Sequence, residues 1–293
     1  PTGLTKKARA IKGRSASTLK APTSDHALTD EQSLALQHLR KDTAGKFLLA
    51  GITGSGKTRL YIERTRDMLA QDKSIVILVP EISLTPQLVS QFEQTFGDVV
   101  ISQHSRLTPA QRRNIWLEVA QTDEPRVLIG PRSTLFLPAY NLGLVIIDEE
   151  HDSSYKQGQA PRYHAVAAAS KLASLSKAQL ILGSATPSLQ EVFLAHEGRL
   201  TLLPLTKRAS GQPLPTTHII DLRDKSLLRR SKFISQPLLD ALEHTLSTGR
   251  QSLLFINRRG SASSYQCADC GEVRTCPTCH IPLTFHADHV QLI

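Results

Sequence analysis

The stretch Phe47-Leu48-Leu49-Ala50-Gly51-Ile52-Thr53-Gly54-Ser55-Gly56-Lys57-Thr58 decides how the rest of the chain is read. It opens as a short buried strand and ends as a G-x-x-x-x-G-K-T phosphate loop, after which Tyr61, Ile62, Thr65, Met68 and Leu69 recur at helical spacing. Strand, loop and helix in that order are what the motif requires. Glycines let the backbone turn its N–H groups inward without a Cβ in the way, and those groups, with the positive end of the helix, favour phosphate oxygens. Gly51, Thr53, Gly54, Ser55 and Gly56 would wrap the phosphates of ATP, Lys57 would reach the outer ones, and Thr58 would offer its hydroxyl to Mg²⁺. Taken alone, the same residues also describe a Gly/Ser turn with an exposed lysine.

A second stretch favours the phosphate reading. Leu144-Val145-Ile146-Ile147 is a continuous apolar run, as in strands buried on both faces of a parallel sheet, and it delivers Asp148-Glu149-Glu150-His151 at its C-terminal end. Ligands of open α/β sheets bind outside that end of the strands. One carboxylate then holds the metal and the next deprotonates or orients a water, so Asp148 is assigned to Mg²⁺ and Glu149 to the base. Further buried runs at Ser74 to Val79, Val127 to Gly130 and Gln179 to Leu182 alternate with helical segments, which predicts a RecA-like parallel sheet with helices on both faces.

Composition narrows the class. The 293 residues carry a formal charge of +9, which suits a polyanionic partner, although six of the cations precede the first acid, Asp25. Residues 1–25 are basic, rich in Ser, Thr and Ala and without apolar periodicity, and read as a flexible linker; the start at Pro1 suggests a piece cut from a longer polypeptide. No apolar run is long enough to span a membrane and no secretory signal opens the chain, so a cytoplasmic protein without membrane contact is expected. Leu28-Thr29-Asp30-Glu31-Gln32 opens a helix, with Thr29 and Gln32 spaced as a capping box; Gln32 also stands where it would read an adenine edge.

Several polar groups follow strand ends. Glu81, Ser83 and Thr85 come after Pro80, and Arg132, Ser133 and Thr134 after Gly130; they suit contact with a phosphodiester backbone, or capping of the next helix. Ser153 to His164 mixes Tyr155 and Tyr163 with Lys156 and Arg162, the combination that stacks bases and grips the phosphates of a single strand, or a surface loop with incidental tyrosines.

With these residues in hand, the chain resembles the superfamily 2 helicases: the phosphate loop, Asp148 to His151, and Gly183-Ser184-Ala185-Thr186-Pro187 are similar to their motifs I, II and III. Val79-Pro80-Glu81-Ile82-Ser83-Leu84-Thr85-Pro86-Gln87, Gly130 to Ser133, Tyr155-Lys156-Gln157, Pro161-Arg162-Tyr163-His164 and Asn257-Arg258-Arg259-Gly260 narrow the resemblance, over about residues 28–293, to the bacterial primosomal helicases. It implies an ATP-driven 3′→5′ DNA helicase that recognises branched, stalled forks and works with primosome proteins and single-stranded-DNA-binding protein. Carried over to matching positions, Ser184 and Thr186 would couple hydrolysis to strand movement, while Glu81, Ser83, Arg132, Ser133, Tyr155, Lys156, Arg162, Tyr163, Arg258 and Arg259 would serve DNA contact or coupling. Val166 and Ala167 stand where the family carries Arg-Asp, which removes two charges from the end of the aromatic loop.

The resulting division is a linker to residue 25, an ATP-binding lobe over 26–205, a connection with the first strand of a second lobe over 206–262, and a partial zinc-binding insertion over 263–293. Gln251 to Ile256 is the expected strand. Nothing after it resembles the second-lobe arginine that completes such motors, so the chain alone is expected to bind nucleotide, hydrolyse it slowly and not unwind DNA. Cys267-x-x-Cys270 and Cys276-x-x-Cys279 have zinc pair spacing, with five residues between the pairs. Either all four thiolates close on one Zn²⁺, or, as the resemblance implies, each pair is half of a separate site. Atomic absorption should find zinc in the purified chain: the count per chain separates one ion from two, and a count of zero would end both arrangements.

Overall fold

The structure, a computed structural model, describes residues 27–80, 86–211, 215–228, 234–255, 272–283, 285–286 and 291–292. The chain divides after Leu214 into two compact units. In the first, helix α1 (Asp30–Lys41) begins at the foreseen capping box: Gln32 N donates to Thr29 Oγ1 and Thr29 N to Gln32 Oε1. Strand β1 (Lys46–Gly51), helix α2 (Lys57–Leu69) and strand β2 (Ser74–Leu78) follow. Next come α3 (Pro86–Phe96), β3 (Val100–Ser102), α4 (Pro109–Ala120), β4 (Val127–Gly130) and β5 (Leu142–Asp148). A two-stranded ribbon, β6 (Lys156–Gln157) with β7 (Tyr163–His164), leads to α5 (Ala165–Ser176), β8 (Gln179–Ser184), α6 (Leu189–His196) and β9 (Thr201–Leu205).

Seven strands form one sheet in the order β3-β4-β2-β5-β8-β1-β9, and every neighbouring pair is parallel. Because strand side chains alternate between faces, two cores form. Leu49, Ile75, Ile77, Ile146 and Ile181 meet α1, α2 and α3 on one face; Leu48, Val76, Val145, Ile147 and Leu182 meet α5 on the other. The apolar runs without alternation in the sequence are therefore strands covered on both sides.

Sheet and helices are tied together at the N-terminal end of β8. Gln179 is fully buried; its Oε1 accepts from Arg64 Nε at 2.8 Å, and its Nε2 donates to the carbonyls of Leu39 and Asp42. One amide thereby links the C-terminal end of α1 to the buried Nε of Arg64 on α2.

The second unit differs from expectation. Gln251 to Phe255 form no strand; Leu253 and Phe255 are almost fully exposed, and among the described residues no strand pairs with them. A lone strand leaves its N–H and C=O groups to water and gains nothing from β-branched packing, which is why apolar character there did not produce a strand. Helix α7 (Gln236–Ser247), with Pro237 in its first turn, had not been anticipated. Short strands β10 (Phe285–His286) and β11 (Gln291–Leu292) pair antiparallel. The linker over 1–25, and with it Glu81, Ser83, Thr85, Arg258, Arg259, Cys267 and Cys270, lie outside the described residues.

Replacing Gln179 by Ala would remove the partner of two carbonyls and of the buried Arg64 Nε, which keeps Asp67 at Nη1, with an expected loss of about 3 kcal/mol in urea unfolding. Because Gln179 sits at the strand's far end from the phosphate loop, nucleotide affinity of the folded variant should stay unchanged.

Candidate active site

Helix α2 starts from Gly56, whose φ of 86° lies in the left-handed region that favours glycine; Gly54 has φ 79°. A Cβ on Gly56 would lie 2.3 Å from Gln32 Nε2, and one on Gly51 would lie 2.5 Å from Ser55 Oγ. A side chain at Gly51 would have to push Ser55 aside, and one at Gly56 would have to displace Gln32 in a backbone conformation that already disfavours it. Ser55 N donates to Ile52 O at 3.0 Å, and Lys57 Nζ folds back to Gly51 O at 2.8 Å. The N–H groups of Lys57 and Thr58, the first two of α2, have no carbonyl one turn back, as at any helix start, so they remain donors for an anion. Ser55 Oγ is buried without a hydrogen-bond partner. Tight glycines, free helix-end donors, a lysine and an orphaned hydroxyl fit the phosphates of a nucleotide.

Strand β8 lies between β1 and β5, with Ala50 opposite Ser184 and Asp148 opposite Gly183. The loops leaving β1 and β5 consequently open at the same edge. The Lys57 ammonium is close enough to Asp148 to lower its pKa, although burial, the larger influence, leaves that carboxyl raised. Asp148 Oδ1 accepts from the Tyr61 hydroxyl at 3.0 Å, and Tyr155 Oη donates to Asp148 O at 2.6 Å. Burial, then the charge of Asp148, pushes the Tyr61 phenol far up, so it remains a donor.

Glu149 adopts φ 47°, an uncommon conformation for a side-chain-bearing residue, and is half-buried. Its carboxylate stands 3.7 Å from His151 Nδ1. His151 Nδ1 also pairs with Ser184 Oγ at 2.7 Å, and Ser184 Oγ accepts from Thr186 N at 3.0 Å. The acidic box and the Ser-Ala-Thr turn are thus one hydrogen-bonded unit. Glu150 is turned the other way, buried, accepting from Ser188 N at 2.9 Å; burial pushes its pKa up to about 7.

Gln32 is tied to the loop: Oε1 of its amide serves the capping box, and Nε2 donates to Ser55 O at 2.8 Å. Beside it, Thr29, Asp30, Glu31 and Ile52 line a cavity of about 460 Å³ with Thr206, Lys207, Arg208 and Ala209. That second wall went unnoticed in the sequence. It is held by Glu31, whose carboxylate accepts from Thr206 N, Thr206 Oγ1 and Lys207 N, and by Ala209 N donating to Gly54 O. Only a return of the chain after β9 brings it there.

The aromatic loop departs from its reading at one residue. Tyr155 is fully buried, with its hydroxyl spent on the backbone of Asp148, so it is not a base-stacking platform: the apolar ring fills core space beneath β5. Tyr163 is half-buried and packs edge-on against Phe136, ring centres 5.2 Å apart, while Lys156, Arg162 and Ser133 are exposed. Arg132 is occupied with Ser154 O and Gln157 Oε1. Together with the β6–β7 pairing, Arg132 anchors the loop that lacks the family's Arg-Asp; Val166 packs into the core instead. Cys276 and Cys279 are described: Cys276 N donates to Ile281 O, His280 N donates to Cys276 O, and backbone groups of Cys279 and Thr278 lower the Cys276 thiol pKa. Among the described residues no group of three or more potential metal ligands gathers.

Residues 29–194 match the DEAD/DEAH box helicase family. The chain belongs to that family. It is 42% identical over 263 residues to the replication restart protein PriA of Bacillus subtilis (strain 168), covering 88% of the chain and 32% of that protein. To its counterparts in Treponema pallidum (strain Nichols) and Haemophilus influenzae (strain ATCC 51907 / DSM 11121 / KW20 / Rd) it is 39% and 40% identical, over 90% and 88% of the chain and 39% and 35% of those proteins. The chain spans about a third of the length of these relatives, and the motif-based resemblance to primosomal helicases is borne out.

The raised pKa of Glu150 has a consequence for folding. A carboxyl whose folded pKa exceeds its unfolded value contributes stability below about pH 4.5 that is lost as pH rises through about 7. Measured by urea unfolding in EDTA, the protein should lose roughly 2–3 kcal/mol between pH 5 and 8 from this group, and Glu150→Gln should abolish most of that slope.

Proposed function

We propose that the chain is the ATP-hydrolysing part of a 3′→5′ DNA helicase of replication restart. The observation that carries this reading is the convergence of Lys57, Asp148 and Glu149 at one edge of the sheet, linked through His151 to Ser184.

In this reading Lys57 and the N–H groups at the start of α2 bind the phosphates, Thr58 and Asp148 hold Mg²⁺, and the cavity against Thr206 to Ala209 accommodates the base. Bound Mg²⁺ neutralises phosphate charge as it builds on the leaving group. Glu149 takes a proton from the attacking water and passes it to solvent through its exposed edge. The His151–Ser184–Thr186 chain senses the change in charge at Glu149 and transmits it to the turn before α6. Ser133, Lys156, Arg162 and Tyr163 contact single-stranded DNA; Arg132 supports them by anchoring the loop.

Residues 26–205 act as the first helicase lobe and 206–262 as the connection to a second. Cys267, Cys270, Cys276 and Cys279 bind Zn²⁺, a reading supported by the Cys276–His280 turn, in which backbone N–H groups surround the first sulfur. Branched DNA, primosome proteins and single-stranded-DNA-binding protein are the partners, in the cytoplasm. The replication-restart reading is supported by the names of the PriA relatives, and these partners by the motif resemblance; no described helix is long and apolar enough to cross a membrane.

The test separates binding from chemistry in the purified chain. Lys57→Ala should weaken Mg·ATP binding at least tenfold. Glu149→Gln should bind within about twofold of wild type yet lose roughly a hundredfold in single-turnover hydrolysis. Wild-type turnover in Glu149→Gln would remove that residue as base.

A further inference from the structure

Tyr61 has no assigned part in nucleotide hydrolysis, yet it touches the carboxylate on which the metal site depends. It lies one helical turn after Lys57 on α2, at i,i+4, so the lysine for the phosphates and this phenol share one face of the helix. The ring is fully buried in the core between α2 and the sheet and has no room to swing. Its hydroxyl donates to Asp148 Oδ1 at 3.0 Å.

The neighbouring strand is shaped around that hydroxyl. Gly183 is the register partner of Asp148, and a Cβ built on it would lie 1.7 Å from Tyr61 Oη and 3.0 Å from Cζ. The φ of Gly183 is not in the left-handed region, so the glycine is there for space and not for backbone conformation. Burying a phenol against an apolar sheet costs free energy unless its hydroxyl is paired, and phenylalanine would fill the same volume without that cost.

We propose that Tyr61 is a positioning residue for the metal-holding carboxylate: its hydroxyl pins one oxygen of Asp148, so that the carboxylate presents a single fixed edge to Mg²⁺. Tyr155 Oη, donating to Asp148 O, fixes the main chain of the same residue. The carboxylate is therefore held from both its side chain and its backbone. Carboxylates that ligate metals rely on such partners, whose removal costs about 10- to 100-fold in metal affinity or activity. This inference rests on the ATP-site reading above.

The experiment titrates Mg²⁺ into the purified 293-residue chain with a fluorescent ATP analogue and records nucleotide binding, so that hydrolysis is not needed. Tyr61→Phe keeps the ring, and a thermal melt establishes that it folds. Its half-saturating Mg²⁺ concentration should rise about tenfold, while affinity in EDTA stays within twofold of wild type. Gly183→Ala, whose methyl displaces the hydroxyl, should give a similar shift, and the double variant should be no worse than either alone. A Tyr61→Phe titration that overlays wild type overturns the inference, as does an equal loss in EDTA, which would mark general damage to the phosphate loop. If wild type itself shows no Mg²⁺-dependent binding, or Lys57→Ala binds as wild type does, the ATP-site reading fails and this inference with it.

Discussion

The parallel placement of β8 between β1 and β5 is the constraint from which the site follows. With all three strands running the same way, the loop after β1 and the loop after β5 leave the sheet at one edge, although Lys57 and Asp148 are far apart along the chain. The turn after β8 opens at that edge too and meets His151. Reversing β8 would break both ladders and carry Ser184 to the opposite end. The site is thus a property of strand order, and the two apolar cores that hold the order are what make it rigid.

That rigidity coexists with poor local electrostatics. Asp148, Glu149 and Glu150 are consecutive carboxyls; burial raises the pKa of the first and pushes the third to about 7. The donors that offset this come from distant elements: Tyr61 on α2 for Asp148, and Ser188 N at the start of α6 for Glu150. A fold seeking stability alone would place apolar residues here. Concentrated negative charge at the end of a central strand is instead what a metal–phosphate group complements.

The phosphate loop is likewise supported from both ends of the lobe. Gln32 on α1 holds Ser55 O, and the segment after β9 holds Gly54 O through Ala209 N, while Glu31 ties α1 to that same segment. The last two of these ties join pieces separated by more than a hundred residues and wall the cavity next to the loop. The base-side wall therefore depends on the edge strand β9 being docked on β1.

By itself the sequence determined the α/β class, the five central strands to within a few residues, the capping box at Thr29, the phosphate loop and the acidic box, because each is written in local chemistry: apolar runs, a capping pair, glycines, a lysine, clustered acids. It also marked the family. Tertiary structure decided which tyrosine faces solvent, since Tyr155 and Tyr163 sit in the same aromatic and basic stretch but only packing beneath β5 buries the first. It decided that Gln251 to Phe255 form no strand, because a strand exists only with a partner to pair with. Finally, it assigned Tyr61, Gly183, Glu31 and the segment Thr206 to Ala209 to the site. Apart from Gly183, which lies in the Gly-Ser-Ala-Thr-Pro string, none of these belongs to a motif; each matters through a contact made when residues distant in sequence are brought together.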